Sequence, residues 1–190
     1  MDNLDETIIN LRNEERRNEN NIIDEGLYIG DTLYEFAPVE VVSKRFIIML
    51  PTSFDDMSPR LAEAKYPSKQ RPQCIKTNAD TSVNMSISYH EFETSNEYIE
   101  KEAASMKAVL KKSNPAMEFY EEGVEELPDF RLAWFGFKSF GLDQEMFNIM
   151  FVAAPEGKML HGVFNCLFSD YKSWEKVALQ MIRSIRVNKN

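Results

Sequence analysis

The sequence contains few of the residues that build disulfide frameworks or metal centres, with two cysteines and two histidines in 190 residues. Cys74 and Cys166 lie in apolar, strand-like stretches, so we expect buried free thiols rather than a disulfide. No spacing typical of a zinc site occurs, and only Glu91 and Glu93 follow His90 closely enough to act as further ligands. We therefore expect no metal site.

Catalytic motifs are also lacking. The sequence has no Gly-x-Ser-x-Gly elbow, no phosphate-binding loop and no dinucleotide-binding fingerprint. We expect His90 to be an exposed strand residue and His161 to pack against a sheet. His161 and Cys166 are five residues apart, which places their side chains on opposite faces of a regular strand and excludes a local thiol and imidazole pair. The sequence predicts no catalytic residue and no cofactor.

The sequence also lacks long hydrophobic runs and clusters of positive charge. No window reaches the eighteen or so apolar residues that a membrane-spanning helix needs. The N-terminus carries Asp2, Asp5 and Glu6 where a signal peptide would carry positive charge. The net charge of -9 argues against nucleic acid or an anionic membrane as the main partner. We expect a cytoplasmic protein that does not insert into a membrane.

A hydrophobic content of 43% is enough for one large core. The most regular part of the chain runs from residue 130 to residue 168, where three strand-like stretches are joined by two turns. Gly141 marks the first turn, and Pro155 and Gly157 mark the second. Both faces of the middle stretch are apolar, so the sheet needs cover on both sides. This pattern predicts an antiparallel meander between two layers.

Other stretches supply the layers around this meander. Apolar residues from Trp174 to Ile185 recur on one face of a helix, and a second helix is predicted from Ile99 to Leu110. Residues 82–90 alternate as a strand, and residues 39–50 end in the buried strand Phe46 to Leu50.

The N-terminal segment differs from the rest in charge. Residues 1–25 carry eight acidic residues against three arginines, with Leu4, Ile8 and Leu11 at helical spacing. We expect residues 1–38 to form an acidic helix and linker and residues 39–190 to form the domain. The acidic segment is either a solvated arm or a helix that docks on the domain or on another subunit.

This order of elements resembles the PsbP-like superfamily, an α+β fold in which helices cover an antiparallel sheet in an α/β/α sandwich. The matching residues are the run Phe46 to Pro51 with Phe54 after it, the alternating strand Val83 to Tyr89, and the helix around Trp174. The superfamily includes a photosystem subunit, a eukaryotic Ran-binding import factor and bacterial DcrB-type domains and chaperones. The resemblance implies a binding or adaptor module rather than an enzyme, and it transfers no functional residue.

Two charged segments are candidates for contact with a protein partner. The loop of residues 65–72 concentrates positive charge beside an aromatic ring, with Tyr66, Lys69 and Arg71 as candidate contacts for an acidic peptide. The alternative is a solvated loop whose Tyr66 fills the core. The acidic stretch of residues 118–129 includes Glu121 and Glu122, which could bind a basic partner. The alternative is that these charges only keep the protein soluble. The two segments could also complement each other in a homodimer.

Methionines on the middle strand are the third candidate. If the face that carries Met146 and Met150 is only partly covered, a soft apolar groove remains that adapts to varied segments. The alternative is a closed core.

Two main hypotheses for function follow from these observations. The first is a non-catalytic, cytoplasmic module that binds a protein or peptide, as an adaptor or chaperone does. The second is a small-ligand carrier or hydrolase that uses a cavity near Trp134, Tyr89 and His161. A third possibility is a structural role in which residues 1–25 mediate association.

Overall fold

Strands make up most of the fold. The structure, a computed structural model, describes residues 22–141 and 144–189. The α-helices in these ranges are α1 (Pro59–Lys65), α2 (Ile99–Ser113) and α3 (Tyr171–Arg183), and none of them is long and apolar enough to cross a membrane. The strands are β1 (Leu27–Ile29), β2 (Thr32–Tyr34), β3 (Phe36–Val41), β4 (Phe46–Pro51), β5 (Asp55–Asp56), β6 (Cys74–Thr77), β7 (Asn84–Glu93), β8 (Glu118–Glu126), β9 (Arg131–Phe140), β10 (Glu145–Ala153), β11 (Lys158–Leu167) and β12 (Arg186–Val187).

Seven of these strands form one antiparallel sheet in the order β5-β6-β7-β11-β10-β9-β8. The meander predicted for residues 130–168 is confirmed as β9, β10 and β11. Strand β11 lies at the centre of the sheet, paired with β10 on one side and β7 on the other. The predicted α+β class, with an antiparallel sheet covered by helices, is confirmed.

One sheet face, which we call the inner face, carries helix α3. The apolar stripe of this helix is buried as its spacing predicts, with Trp174 and Ile182 at its two ends. The Trp174 ring packs edge-on against Tyr34 at 5.4 Å and lies 5.9 Å from the Phe164 ring of β11. Because Phe164 and its neighbour across the sheet, Ile149, are fully buried, this face holds the main hydrophobic core.

A second sheet completes the inner layer. Strands β12, β4 and β3 form a three-stranded sheet whose Phe46, Ile48 and Leu50 join the core beneath α3. The buried strand predicted from Phe46 to Leu50 is confirmed as β4, and residues 39–41 before it belong to β3. Three consecutive residues with positive φ, from Val42 to Lys44, turn the chain between them. Residues 42–44 include no glycine, the residue that usually adopts such angles, so this turn was not predictable.

The opposite face, which we call the outer face, carries α1 and α2. Helix α2 buries Ile99 and Ala103 against Phe135 and Phe137 of β9. Helix α1 buries Ala62 over β6 at the other side of the sheet. The outer layer therefore consists of two separate helices over different strands.

The N-terminal boundary expected at residue 38 does not coincide with the edge of the core. Ile23, Leu27 and Ile29 are buried in the same cluster as the residues of β4 and α3. The backbone N–H of Ile23 donates to the side chain of Gln180 on α3 at 3.2 Å. The described part of the predicted linker therefore belongs to the domain, whereas the acidic amphipathic helix predicted from Leu4 to Leu11 lies outside the described residues.

Candidate functional site

The outer face of the central strand β11 is left half-exposed along its length. On the inner face of β11, Leu160, Phe164 and Cys166 are buried, whereas every outer-face residue from 159 to 167 is partly accessible. These outer-face residues are Met159, His161, Val163, Asn165 and Leu167. An antiparallel sheet commonly leaves part of one face to solvent. This row is the part of the outer face that the helices α1 and α2 leave uncovered.

The gap lies between the two outer helices. Helix α1 packs over Ile75 of β6, and α2 packs over β9 and reaches Met150 of β10. Between them runs a groove, which we define by the outer-face row of β11 and the half-exposed Met146 and Met150 beside it. Since a strand rises about 3.3 Å per residue, the groove from residue 159 to residue 167 is about 26 Å long.

Three asparagines form a row across one end of the groove. Asn148, Asn165 and Asn84 lie directly opposite one another on β10, β11 and β7. The Asn84 amide donates to Asn165 Oδ1 at 2.8 Å and accepts a hydrogen bond from the Thr77 hydroxyl at 2.8 Å. The Asn148 amide donates to the Ser139 hydroxyl at 2.9 Å. Asn84 and Asn148 are buried, so Asn165 is the half-exposed amide of this row, a neutral group that suits an uncharged polar partner.

A cleft of about 280 Å³ opens above this row, between α1 and the end of β10. Tyr66 lines it together with Met146 and Leu167. Burial raises the pKa of Tyr66, and a hydrogen bond with Asn165 partly offsets this effect. Burial also lowers the pKa of Lys65, whose ammonium group donates to the Thr81 hydroxyl at 2.9 Å and to the Thr81 carbonyl oxygen. The walls of the cleft are therefore mostly neutral and held by hydrogen bonds.

The other end of the groove carries the two histidines. His161 and His90 lie on neighbouring strands, with ring centroids 6.4 Å apart. Burial, and after it the charge of His90, hold the pKa of His161 below its ordinary value. The ring of Phe92 stacks on His90 at 5.6 Å. In the part of the chain that the structure describes, no group of three His, Cys, Asp or Glu side chains could hold a metal ion.

The structure brings together three of the residues predicted to contact a partner. Tyr66 and Met146 line the same cleft, although Tyr66 was predicted as part of the basic loop and Met146 as part of the methionine groove. Met150 lies on the same face of β10, four residues along the strand from Met146. All three are half-buried, so this face is neither a closed core nor a fully open surface.

The charged candidates lie elsewhere. The loop with Lys69 and Arg71 precedes β6 near one edge of the sheet, whereas Glu121 and Glu122 belong to β8 at the opposite edge. Arg71 pairs with Glu63 at 3.3 Å, and Glu122 pairs with Lys107 of α2 at 2.6 Å. The two segments do not meet within one chain. Acidic side chains along the exposed edge strand β8 also oppose pairing with strands of other molecules.

The cavity expected near Trp134, Tyr89 and His161 is not formed by these three residues. The strand register places Trp134 and Tyr89 on the inner face and His161 on the outer face. The prediction failed because it assigned faces without knowing the register of β7 against β11. The hydrolase hypothesis therefore loses its proposed residues.

The prediction that both thiols are free is confirmed. Cys166 is fully buried as expected, whereas Cys74 is half-exposed, so its expected burial is wrong. The Cys166 side chain lies on the inner face, opposite to His161. Burial raises the pKa of Cys166 to about 12, which keeps the thiol protonated and unreactive.

The asparagine row was missed by sequence reasoning. Asn84 was visible as part of the polar face of an alternating strand, but nothing marked Asn148 and Asn165 as its neighbours. Only the pairing of three strands that are distant in sequence aligns them. A signal could have come from Asn148 and Asn165, each flanked by apolar residues, since a buried amide needs a partner.

Comparisons with known proteins identify the fold. No family model matches the chain, and no curated protein sequence does. The structure is similar to that of cyanobacterial PsbP (CyanoP) from Synechocystis sp. PCC 6803, with a TM-score of 0.58 and 8% identity over 83% of this chain and 95% of that one. It is also similar to LpqN of Mycobacterium tuberculosis, described as involved in cell envelope biogenesis, with a TM-score of 0.50 and 11% identity over 88% and 97%. The chain therefore has a PsbP-like fold, as its resemblance in sequence predicted.

Proposed function

We propose that the protein is a non-catalytic binding module whose groove holds an extended segment of a partner protein. The observation that carries this proposal is the half-exposed outer face of β11. This interior strand lies between helix α1 on one side and helix α2 on the other. A surface of this shape offers an extended chain a long contact without requiring the domain to open.

The size and chemistry of the groove favour a peptide. Its length of about 26 Å corresponds to about eight residues of extended chain. The half-exposed amide of Asn165 can exchange hydrogen bonds with a peptide backbone, whose groups must be satisfied when they leave water. Asn84 and Asn148 are buried beside it and hold this row in place. Met150 and Val163 in the middle supply an adaptable apolar floor. The expected occupant is therefore an uncharged segment with apolar residues at its centre.

A defined peptide and two matched variants test the proposal. Peptides enriched from a random display library on the purified full chain are labelled, and their affinity is measured by fluorescence anisotropy. Val163→Arg places a charge on the groove floor and should weaken binding at least about tenfold, since a buried unpaired charge is costly. Val109→Arg makes the same change at an exposed position of α2, where Val109 is 63% accessible. It should leave the affinity unchanged.

Two results would contradict the groove as the binding surface. One is equal loss of affinity in both arginine variants, which would indicate a general effect of charge. The other is the absence of any enriched peptide in repeated selections.

A small polar ligand is the second candidate, favoured by the cleft at the asparagine end of the groove. The cleft of about 280 Å³ is close to the lower size of ligand pockets, and Tyr66 and Asn165 supply hydrogen-bonding groups. A carrier of this kind should be stabilised against heat by its ligand, and Asn165→Leu should abolish that stabilisation. A metabolite screen by thermal shift with no response would remove this candidate.

We also propose a cytoplasmic setting, which the free thiols of Cys74 and Cys166 support because thiols persist in reducing compartments. A homodimer that pairs the basic loop with the acidic stretch is a further proposal. Since these segments lie at opposite edges of the sheet, a two-fold dimer would have to bring both edges of one chain against the opposite edges of the other. The mass in solution of the full chain, compared with a chain that starts at Ile22, tests both this association and a role for the acidic segment.

A further inference from the structure

The histidine end of the groove brings together three side chains that can bind a metal. His90 and His161 are the only histidines of the sequence, and their ring centroids are 6.4 Å apart on adjoining strands. In the register of β7 and β11, Met159 lies directly opposite His90. Met159 is also two residues from His161 on β11, so it shares the outer face with both imidazoles.

This set of ligands is neutral and soft. Two imidazole nitrogens and a thioether sulfur carry no negative charge, and sulfur ligands select monovalent copper over harder dications. The nearby carboxylates are held elsewhere, because Glu91 and Glu93 lie 3.8 Å and 4.0 Å from the ammonium group of Lys158. We propose that His90, Met159 and His161 form a binding site for monovalent copper.

The distance between the rings fits one shared ion. Two metal–nitrogen bonds of about 2 Å, with about 1.2 Å from each nitrogen to its ring centre, span about 6.4 Å when the bonds are collinear. The observed separation of 6.4 Å between the ring centroids equals this span, which leaves room for one ion. Met159, opposite His90 in the strand register, supplies the third ligand.

A neighbouring aromatic ring limits how one of the two imidazoles can turn. The stacked ring of Phe92 restricts the orientation of His90. The site lies at one end of the groove and does not depend on the groove binding a peptide.

Competition for monovalent copper tests the site. The full chain with Cys74→Ser, which removes the accessible thiol, is titrated under anaerobic reducing conditions against a colorimetric copper(I) chelator. One ion should bind per chain. Met159→Leu and His161→Gln should each lower the affinity at least about tenfold, the scale seen even for outer-shell changes. Met150→Leu replaces a half-buried methionine of the same face outside the site and should have no effect.

X-ray absorption distinguishes the proposed ligands from other binding. The copper-loaded chain should show nitrogen scattering from two imidazoles and one sulfur, and the sulfur should disappear in Met159→Leu. Equal affinities of Met159→Leu and Met150→Leu, or sulfur scattering that persists in Met159→Leu, would overturn the proposal. Zinc binding as tight as that of copper(I) would overturn the assignment to a soft monovalent ion.

Discussion

Gly162 is the position where the fold is least able to accept a side chain. It lies on the inner face of β11, paired with Phe151 of β10. A Cβ atom at Gly162 would lie 2.2 Å and 2.5 Å from two ring carbons of Phe151 and 2.8 Å from the carbonyl oxygen of Ser86. Phe151 is fully buried, so its ring has no free space to occupy. Gly162→Ala must therefore shift both the ring and the backbone of a neighbouring strand.

The magnitude follows from two opposing effects. Overpacking a core costs about 1–3 kcal/mol, and the contact with backbone favours the upper part of that range. Replacing a glycine in a strand raises the free energy of unfolding by about 0.5–1 kcal/mol, because the unfolded chain has fewer conformations. We expect Gly162→Ala to lower the free energy of unfolding by about 2 kcal/mol. This corresponds to a fall in Tm of about 4–8 °C for a domain of this size.

Gly136 on β9 provides the matched control. It lies on the same inner face, but an added Cβ would meet its nearest atoms at 3.6 Å, an ordinary van der Waals distance. Gly136→Ala should therefore be neutral or raise stability by up to about 1 kcal/mol. Urea unfolding followed by tryptophan fluorescence measures both variants. Free energies of unfolding within about 0.5 kcal/mol of each other would refute the packing argument.

Two further predictions concern titratable groups. Because burial and His90 depress the pKa of His161 in the folded chain, the unfolded chain takes up its proton at higher pH. The stability contributed by neutral His161 is fully present above about pH 6.5 and is lost as the pH falls toward the lower folded pKa. The urea midpoint of His161→Gln should therefore fall less than that of the wild type between about pH 7 and pH 5. Since burial raises the pKa of Cys166 to about 12, iodoacetamide at neutral pH should leave Cys166 unmodified in the folded protein and alkylate it in urea. Peptide mass spectrometry would contradict this if the folded protein were alkylated there.

The parts of the fold that depend on local patterns were predictable. The meander of β9, β10 and β11 follows from alternating residues and from the turns at Gly141 and Pro155. Helix α3 follows from the apolar spacing that starts at Trp174. In each case the signal lies within a few residues of the structure that it produces. The PsbP-like arrangement follows once the order of these elements is compared with a known family.

The groove and its two ends were not predictable from the same patterns. The sequence shows that Met146 and Met150 share a face, but whether a helix covers that face depends on where α1 and α2 pack. The pairing of Asn84 with Asn165 joins residues far apart in sequence, and a shift of one residue would move each to the other face. The same dependence on register places His161 beside His90 rather than in the cavity expected for it.

The methionines allow the most direct test of the groove. With 13C-labelled methionine methyl groups and a peptide enriched by selection, NMR should show shifts at Met146, Met150 and Met159, which line the groove. The resonances of Met85 and Met181 should stay in place, because both side chains are fully buried on the inner face. Shifts confined to methionines outside the groove, with Met146, Met150 and Met159 unmoved, would contradict the proposed binding surface.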